Sequence, residues 1–162
     1  MIRTAAPPRN VIIGVFLFLA AVVSAAAPMP LLFRSLGVLI FAYLAFAEAG
    51  MPAAYLTALL APVGGLVSGD PGWLTMLPIV ISSNLLAMLA LEYGWPYLAV
   101  ILSPLLEVVP MVFVAAASKK PLFLVTLPWA GEERAWITVH GLVAFAGVLV
   151  ALYLHRRRSR TP

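Results

Sequence analysis

The chain has 162 residues, of which 64% are apolar and 10% charged, with a mean hydropathy of +1.07 and a net charge of +4. A water-soluble domain of this size could not hide so much apolar surface, which excludes an ordinary globular fold and points to an integral membrane protein. Cysteine is absent, so disulfides, thiol nucleophiles and thiolate metal sites are excluded too.

The first apolar run, Val11 to Ala27, follows Arg3 and Arg9 and ends in Ala25-Ala26-Ala27, a pattern that a cleavable signal peptide would also show. Retention is favoured by Pro7 and Pro8 ahead of the run and by the second run that starts almost at once. Five more runs follow at residues 31–47, 53–67, 74–91, 96–117 and 135–154. Helix stop signals separate most of them: Pro28-Met29-Pro30, Gly50-Met51-Pro52, Gly69-Asp70-Pro71-Gly72 and Gly94-Trp95-Pro96. At about 1.5 Å per residue each run is long enough, or nearly so, for a hydrocarbon core of about 30 Å. The expected fold is therefore all-α: one transmembrane domain over residues 1–162, a compact bundle of six membrane-spanning helices. The run at 53–67 is short enough to tilt into protein rather than lipid.

Only one connection is long. Ser118 to Arg134 holds Lys119, Lys120, Trp129, Glu132 and Glu133 around an apolar stretch and is expected to lie along the interface. Basic residues then set the orientation: Arg3, Arg9 and four tail arginines on the side of the ends, against Arg34, Lys119, Lys120 and Arg134 on the other, place both termini in the cytoplasm. The tail His155-Arg156-Arg157-Arg158-Ser159-Arg160 reads as a membrane-surface anchor, not as a nucleic-acid site.

Catalytic signatures are missing. No Gly-rich phosphate loop, His-Glu-x-x-His pair or paired carboxylates appear, so the chain reads as a non-enzyme with no cofactor and no metal. The polar residues inside the runs are few and carry the candidate sites, because an unpaired ionisable group in hydrocarbon costs several kcal/mol. Glu107 lies near the middle of the fifth run, with Ser103 and Met111 on the same helical face and Pro104 and Pro110 on either side. It is either a ligand-facing or proton-coupled carboxylate, or a structural one. Asn84, beside Ser82 and Ser83, lies mid-run and serves helix-to-helix hydrogen bonding or a ligand. His140, Trp136 and Arg134 would line an outer mouth. Trp73, Trp95, Trp129 and Trp136 sit at run ends, where an interfacial belt accounts for them, and Arg34 and Asp70 read as solvated charges of the outer connections. Arg34 and Trp73 are nonetheless counted with Glu107, Asn84, His140 and Trp136 as candidate substrate contacts. Ala20, Ala21, Ser24 and Ala25 give the first run a small-residue face, suited to packing within the chain or to a partner helix.

Six short helices, no nucleotide site, an Ala-x-x-x-Ala first helix and the segment AAYLTALLAPVGGLVSGDPGWLTMLPIVISSNLLAMLAL, from Ala53 to Leu91, together resemble the substrate-binding S components of energy-coupling-factor (ECF) vitamin transporters. The resemblance implies a bacterial inner-membrane protein that captures a vitamin or similar micronutrient from its outer mouth. It also implies a transmembrane coupling subunit and ATPase subunits as partners, with the docking motif on Ala21 and Ala25. No substrate residue can be transferred by motif. Two other classes stay open: a membrane scaffold resembling MreD-like cell-shape subunits, and a small solitary proton-linked transporter with Glu107 as the proton carrier.

Overall fold

A computed structural model describes residues 8–93, 96–117 and 133–159. The long connection with Lys119, Lys120, Trp129 and Glu132 lies outside them, as do Arg3 and Trp95. The described residues form six helices and no strand: α1 Pro8–Ala26, α2 Leu31–Ala49, α3 Met51–Leu60, α4 Pro71–Tyr93, α5 Pro96–Ala117 and α6 Glu133–Ser159, with a 3₁₀ segment, Ala61–Ser68, continuing α3. Each apolar run of the sequence coincides with a helix. Leu31–Ala49, Met51–Ser68, Pro71–Tyr93 and Thr138–Arg157 are long and apolar enough to cross a membrane, while Asn10–Ala26 and Leu98–Pro110 are shorter apolar stretches.

Proline and glycine set the boundaries. Pro8, Pro71 and Pro96 open helices, where the missing N–H has no intrahelical acceptor to lose. Gly50 alone links α2 to α3, at φ 95°, and its N–H caps the Ala45 and Phe46 carbonyls. Gly69, at φ 65°, ends the 3₁₀ segment in a left-handed conformation that a Cβ would strain. Pro62 explains the change from α to 3₁₀: it has no N–H for the Ala58 carbonyl, so the α pattern stops there.

α2 is the central element and packs against α1, α3, the 3₁₀ segment, α4 and α6. Its first half joins a cluster with Ala21 and Ala25 of α1, Ala61, Trp73 and Met76, and its second half joins Ala54, Ala58, Ala87, Met88, Ala144 and Val148. The helices meet largely through alanine, around a few large buried side chains such as Trp73, Tyr43 and Met88, while many other large apolar side chains point outward. Ala42, Ala54 and Ala58 are fully buried, whereas Phe16 is 69% and Phe113 72% exposed. This inverts the pattern of a water-soluble bundle and suits lipid, where close backbone approach, not burial of bulk, holds helices together. α6 runs parallel to α2, fixed by Ser35 against His140, Tyr43 against Gly147 and Phe46 stacked on His155 at 5.0 Å.

Gly147 lets α6 lie close against α2, because a Cβ there would lie 2.5 Å from Tyr43 Cδ2, while a Cβ at Gly141 meets nothing within 4 Å. Gly147→Ala is expected to destabilise the protein by about 1–3 kcal/mol. Gly141→Ala should be neutral or slightly stabilising, since alanine favours a helix. Thermal unfolding of the two variants in the same detergent checks the contrast.

Candidate functional site

Polar groups collect at two depths. At one end of the bundle, Arg34 in the first turn of α2 is 2% exposed. Its Nε donates to the Ala25 carbonyl at 2.6 Å, Nη1 to Asp70 Oδ2 at 2.8 Å, and Nη2 to Ser68 Oγ at 2.9 Å and the Gly65 carbonyl at 3.2 Å. The Ala25 and Gly65 carbonyls belong to the last turns of α1 and the 3₁₀ segment, where helical geometry leaves carbonyls without partners and the dipole favours a cation. The guanidinium also stacks over Trp73, 4.3 Å from the ring centroid. Trp73 is itself fully buried and donates through Nε1 to the Pro62 carbonyl at 2.9 Å. Gly65 makes the room, as a Cβ there would sit 2.1 Å from Trp73 Nε1. Asp70 closes the assembly by accepting from the Gly72 N–H at 2.9 Å at the start of α4.

Three readings change here. Arg34 and Asp70 are not separate solvated charges but one ion pair whose basic member is buried. Trp73 is not part of an interfacial belt but the floor under that pair. Ala21 and Ala25 are fully buried against α2 and the 3₁₀ segment, so their small face serves packing within the chain and offers no surface for a docking partner.

The second depth is mid-bundle. Ser103 Oγ donates to the Ala87 carbonyl at 3.3 Å and sits 2.5 Å from Tyr43 Oη, which joins α5 to both α4 and α2. Because α4 and α5 run antiparallel, the register continues: one turn on along α5 is Glu107, and one turn back along α4 is Ser83. Both lie within two residues of the midpoints of their helices. Asn84, next to Ser83, donates through Nδ2 to the Ala58 carbonyl at a long 3.5 Å, the carbonyl that Pro62 leaves free. Three buried atoms at this depth, Glu107 Oε2, Asn84 Oδ1 and Ser83 Oγ, meet no hydrogen-bond partner among the described residues. Buried polar atoms are nearly always partnered, so three such atoms at one depth make this the candidate site.

His140, also buried, lies 2.9 Å through Nε2 from Ser35 Oγ, about one turn from Glu107 toward the Arg34 end. The structure thus brings Glu107 and Asn84 to one depth, sets His140 beside that depth, and places Arg34 and Trp73 just beyond His140, at the end of the bundle where α2 begins. Trp136 lies on α6 with its side chain outside the described residues. Ser35 and Tyr43 escaped the sequence reading. Tyr43 did carry a signal, as a tyrosine in the middle of an apolar run is out of place for an interfacial belt. Among the described residues no three His, Asp or Glu side chains converge as a metal site would require. No family model, curated protein or solved structure matches the chain.

Removing the Arg34 guanidinium takes the side-chain donor from the Ala25 carbonyl and the countercharge from Asp70, while Ser68 Oγ still donates to the Gly65 carbonyl at 2.6 Å. Arg34→Met is expected to cost about 1–3 kcal/mol, because a buried carbonyl loses its donor while Asp70, 37% exposed, can turn to water. Arg34→Lys should recover only a minority of that loss, because a single ammonium cannot span the same fork of acceptors. Asp70→Asn should cost less than either, its side chain being 37% exposed. Thermal unfolding of the three variants gives the order.

Proposed function

We propose that this chain is a membrane-embedded solute-capture protein whose site is the mid-bundle seam between α4 and α5, with Glu107, Asn84 and Ser83 as its polar contacts. The observation that carries the reading is the set of three buried, unpartnered polar atoms at one depth. The backbone supports it. Pro104 and Pro110 interrupt α5 on either side of Glu107, Pro78 interrupts α4, and α3 gives way to a 3₁₀ segment. Interrupted helices at membrane depth are the usual surroundings of a transport site, because freed carbonyls become available there.

In this reading all six helices cross the bilayer. α1 and α5, with 19 and 22 residues, extend about 28 and 33 Å. Both ends face the cytoplasm, with the exposed Arg156 and Arg157 at the anionic surface. The burial of Arg34 removes one basic residue from the opposing side of that comparison. The chain carries no phosphate-binding loop, so energy would come from partner ATPases through a coupling subunit, as the resemblance to ECF S components implies. Docking would use a face other than Ala21 and Ala25. Glu107, the one buried carboxyl group among the described residues, also favours one rival, a proton-linked transporter that cycles protons on it.

Native mass spectrometry of the protein purified gently into nanodiscs tests the reading. A co-purifying small molecule is expected with the wild type and with Gly141→Ala, and is expected to be lost with Glu107→Gln. A ligand held at 100 times its Kd should also stabilise the wild type by about 2.7 kcal/mol. If nothing is retained and no added vitamin raises the melting temperature, the capture reading falls. If no solute is retained but proton-coupled uptake into vesicles is abolished by Glu107→Gln, the rival takes its place.

A further inference from the structure

Buried polar groups follow one another through the interior of the bundle. We propose that Glu107 exchanges its proton with water by way of His140 and Ser35, at the end of the bundle where α2 begins. The proposal goes beyond solute capture and stands whether or not the seam holds a solute.

Helical register sorts the facing residues of α2, α4, α5 and α6 into layers one turn apart. Ser35 and His140, 2.9 Å apart between Oγ and Nε2, belong to the layer nearest the start of α2. Leu39, Ser83, Glu107 and Ala144 form the next, and Tyr43, Ala87, Ser103 and Val148 the third. The fourth holds Ala47, Leu91, Ala99 and Ala151, all buried, and none of these side chains can give or take a proton.

Polar groups therefore run through three layers and stop at the fourth. Ser35 lies one turn from Leu31, the start of α2, about 6 Å along the axis. At the other limit, Tyr43 and Ser103 are about 9–10 Å from the nearer ends of their helices, Ala49 and Pro96, with the apolar layer in between. Glu107 thus has hydrogen-bonding groups toward one end of the bundle and an apolar closure toward the other.

The chemistry of the groups suits a relay, and ionisable residues inside membrane spans commonly serve one. An imidazole takes a proton on one ring nitrogen and releases one from the other, and a hydroxyl accepts and donates through a single oxygen. Ser35 Oγ takes a proton from water as it gives its own to His140 Nε2, and Nδ1 gives up its proton toward the Glu107 carboxylate. Release runs the same steps backward and restores the starting tautomer. The turn between the His140 and Glu107 layers, about 5.4 Å, is a distance that one water molecule bridges between two polar groups. Two other titratable side chains face this interior. Tyr43 is bonded to Ser103 on the closed side of Glu107, and Arg34 is tied to Ala25, Gly65, Ser68 and Asp70 beyond Ser35, so neither lies between the Ser35 and Glu107 layers.

Infrared spectroscopy of the full chain in nanodiscs tests the route. The carbonyl stretch of the Glu107 carboxyl is the band that Glu107→Gln removes, and its downshift after transfer into heavy water times the exchange of that one proton. Exchange is expected to slow by about tenfold or more in His140→Phe and in Ser35→Ala, and to stay within about twofold of wild type in Tyr43→Phe and Gly141→Ala. Tyr43→Phe removes a hydroxyl one turn from Glu107 on the closed side, so it separates a route through His140 from a general loosening of the core. Ser35→Ala carries the test where His140→Phe does not fold. Equal rates in wild type, His140→Phe and Ser35→Ala overturn the proposal. So does an equal slowing in Tyr43→Phe, and so does the lack of any carboxyl band that Glu107→Gln removes. None of these outcomes bears on solute capture, which the co-purifying molecule decides.

Discussion

One buried guanidinium sets the arrangement of an entire end of this bundle. Arg34 reaches back to the end of α1 and across to the stretch that joins the 3₁₀ segment to α4, so two connections far apart in sequence are held by one side chain. The arrangement is possible because arginine has five N–H donors in a rigid fork and a flat face that stacks on Trp73. It is tolerable in an apolar setting because the charge meets a carboxylate and two helix-end carbonyls. With this end fixed, α2 is held at the centre and the alanine contacts along it fall into register.

Against that satisfied cluster, the mid-bundle seam is conspicuous for what it leaves open. The same chain that supplies four hydrogen bonds to Arg34 leaves Glu107 Oε2, Asn84 Oδ1 and Ser83 Oγ buried without partners among the described residues. The prolines work in the same direction. Pro62 frees a carbonyl that Asn84 takes up, and Pro110 frees the Leu106 carbonyl beside Glu107. A fold that fastens one end tightly and leaves polar atoms unmatched at its middle has the arrangement that the proposed capture site requires. The pairing of Tyr43 with Ser103 gives that middle a firm edge, since it ties α2, α4 and α5 together one turn away.

Much of the architecture was legible along the chain because its signals are local. Proline at helix starts, Gly50 and Gly69 at helix ends and the spacing of apolar runs placed the helices to within a few residues, and polarity inside an apolar run singled out Glu107, Asn84 and His140. What escaped depends on contacts between distant residues. Arg34 looked solvated because it lies near a helix start, and the partners that bury it are 31 to 36 residues away on other elements. Trp73 looked interfacial for the same reason. The small face of α1 was visible in Ala21 and Ala25, but a small face carries no information about which helix it receives, and here that helix belongs to the same chain. Ser35 and Tyr43 gained meaning only through partners 105 and 60 residues on.

The most direct test of the central claim is an experimental density map of the protein purified without stripping its small molecules, inspected at the seam between α4 and α5. Non-protein density within about 3 Å of Glu107 Oε2 and Ser83 Oγ is the expected result. A closed seam, with Glu107 hydrogen-bonded directly to Asn84 Oδ1 and no further density, would show that the polar atoms satisfy one another, and it would contradict the assignment of a binding site there.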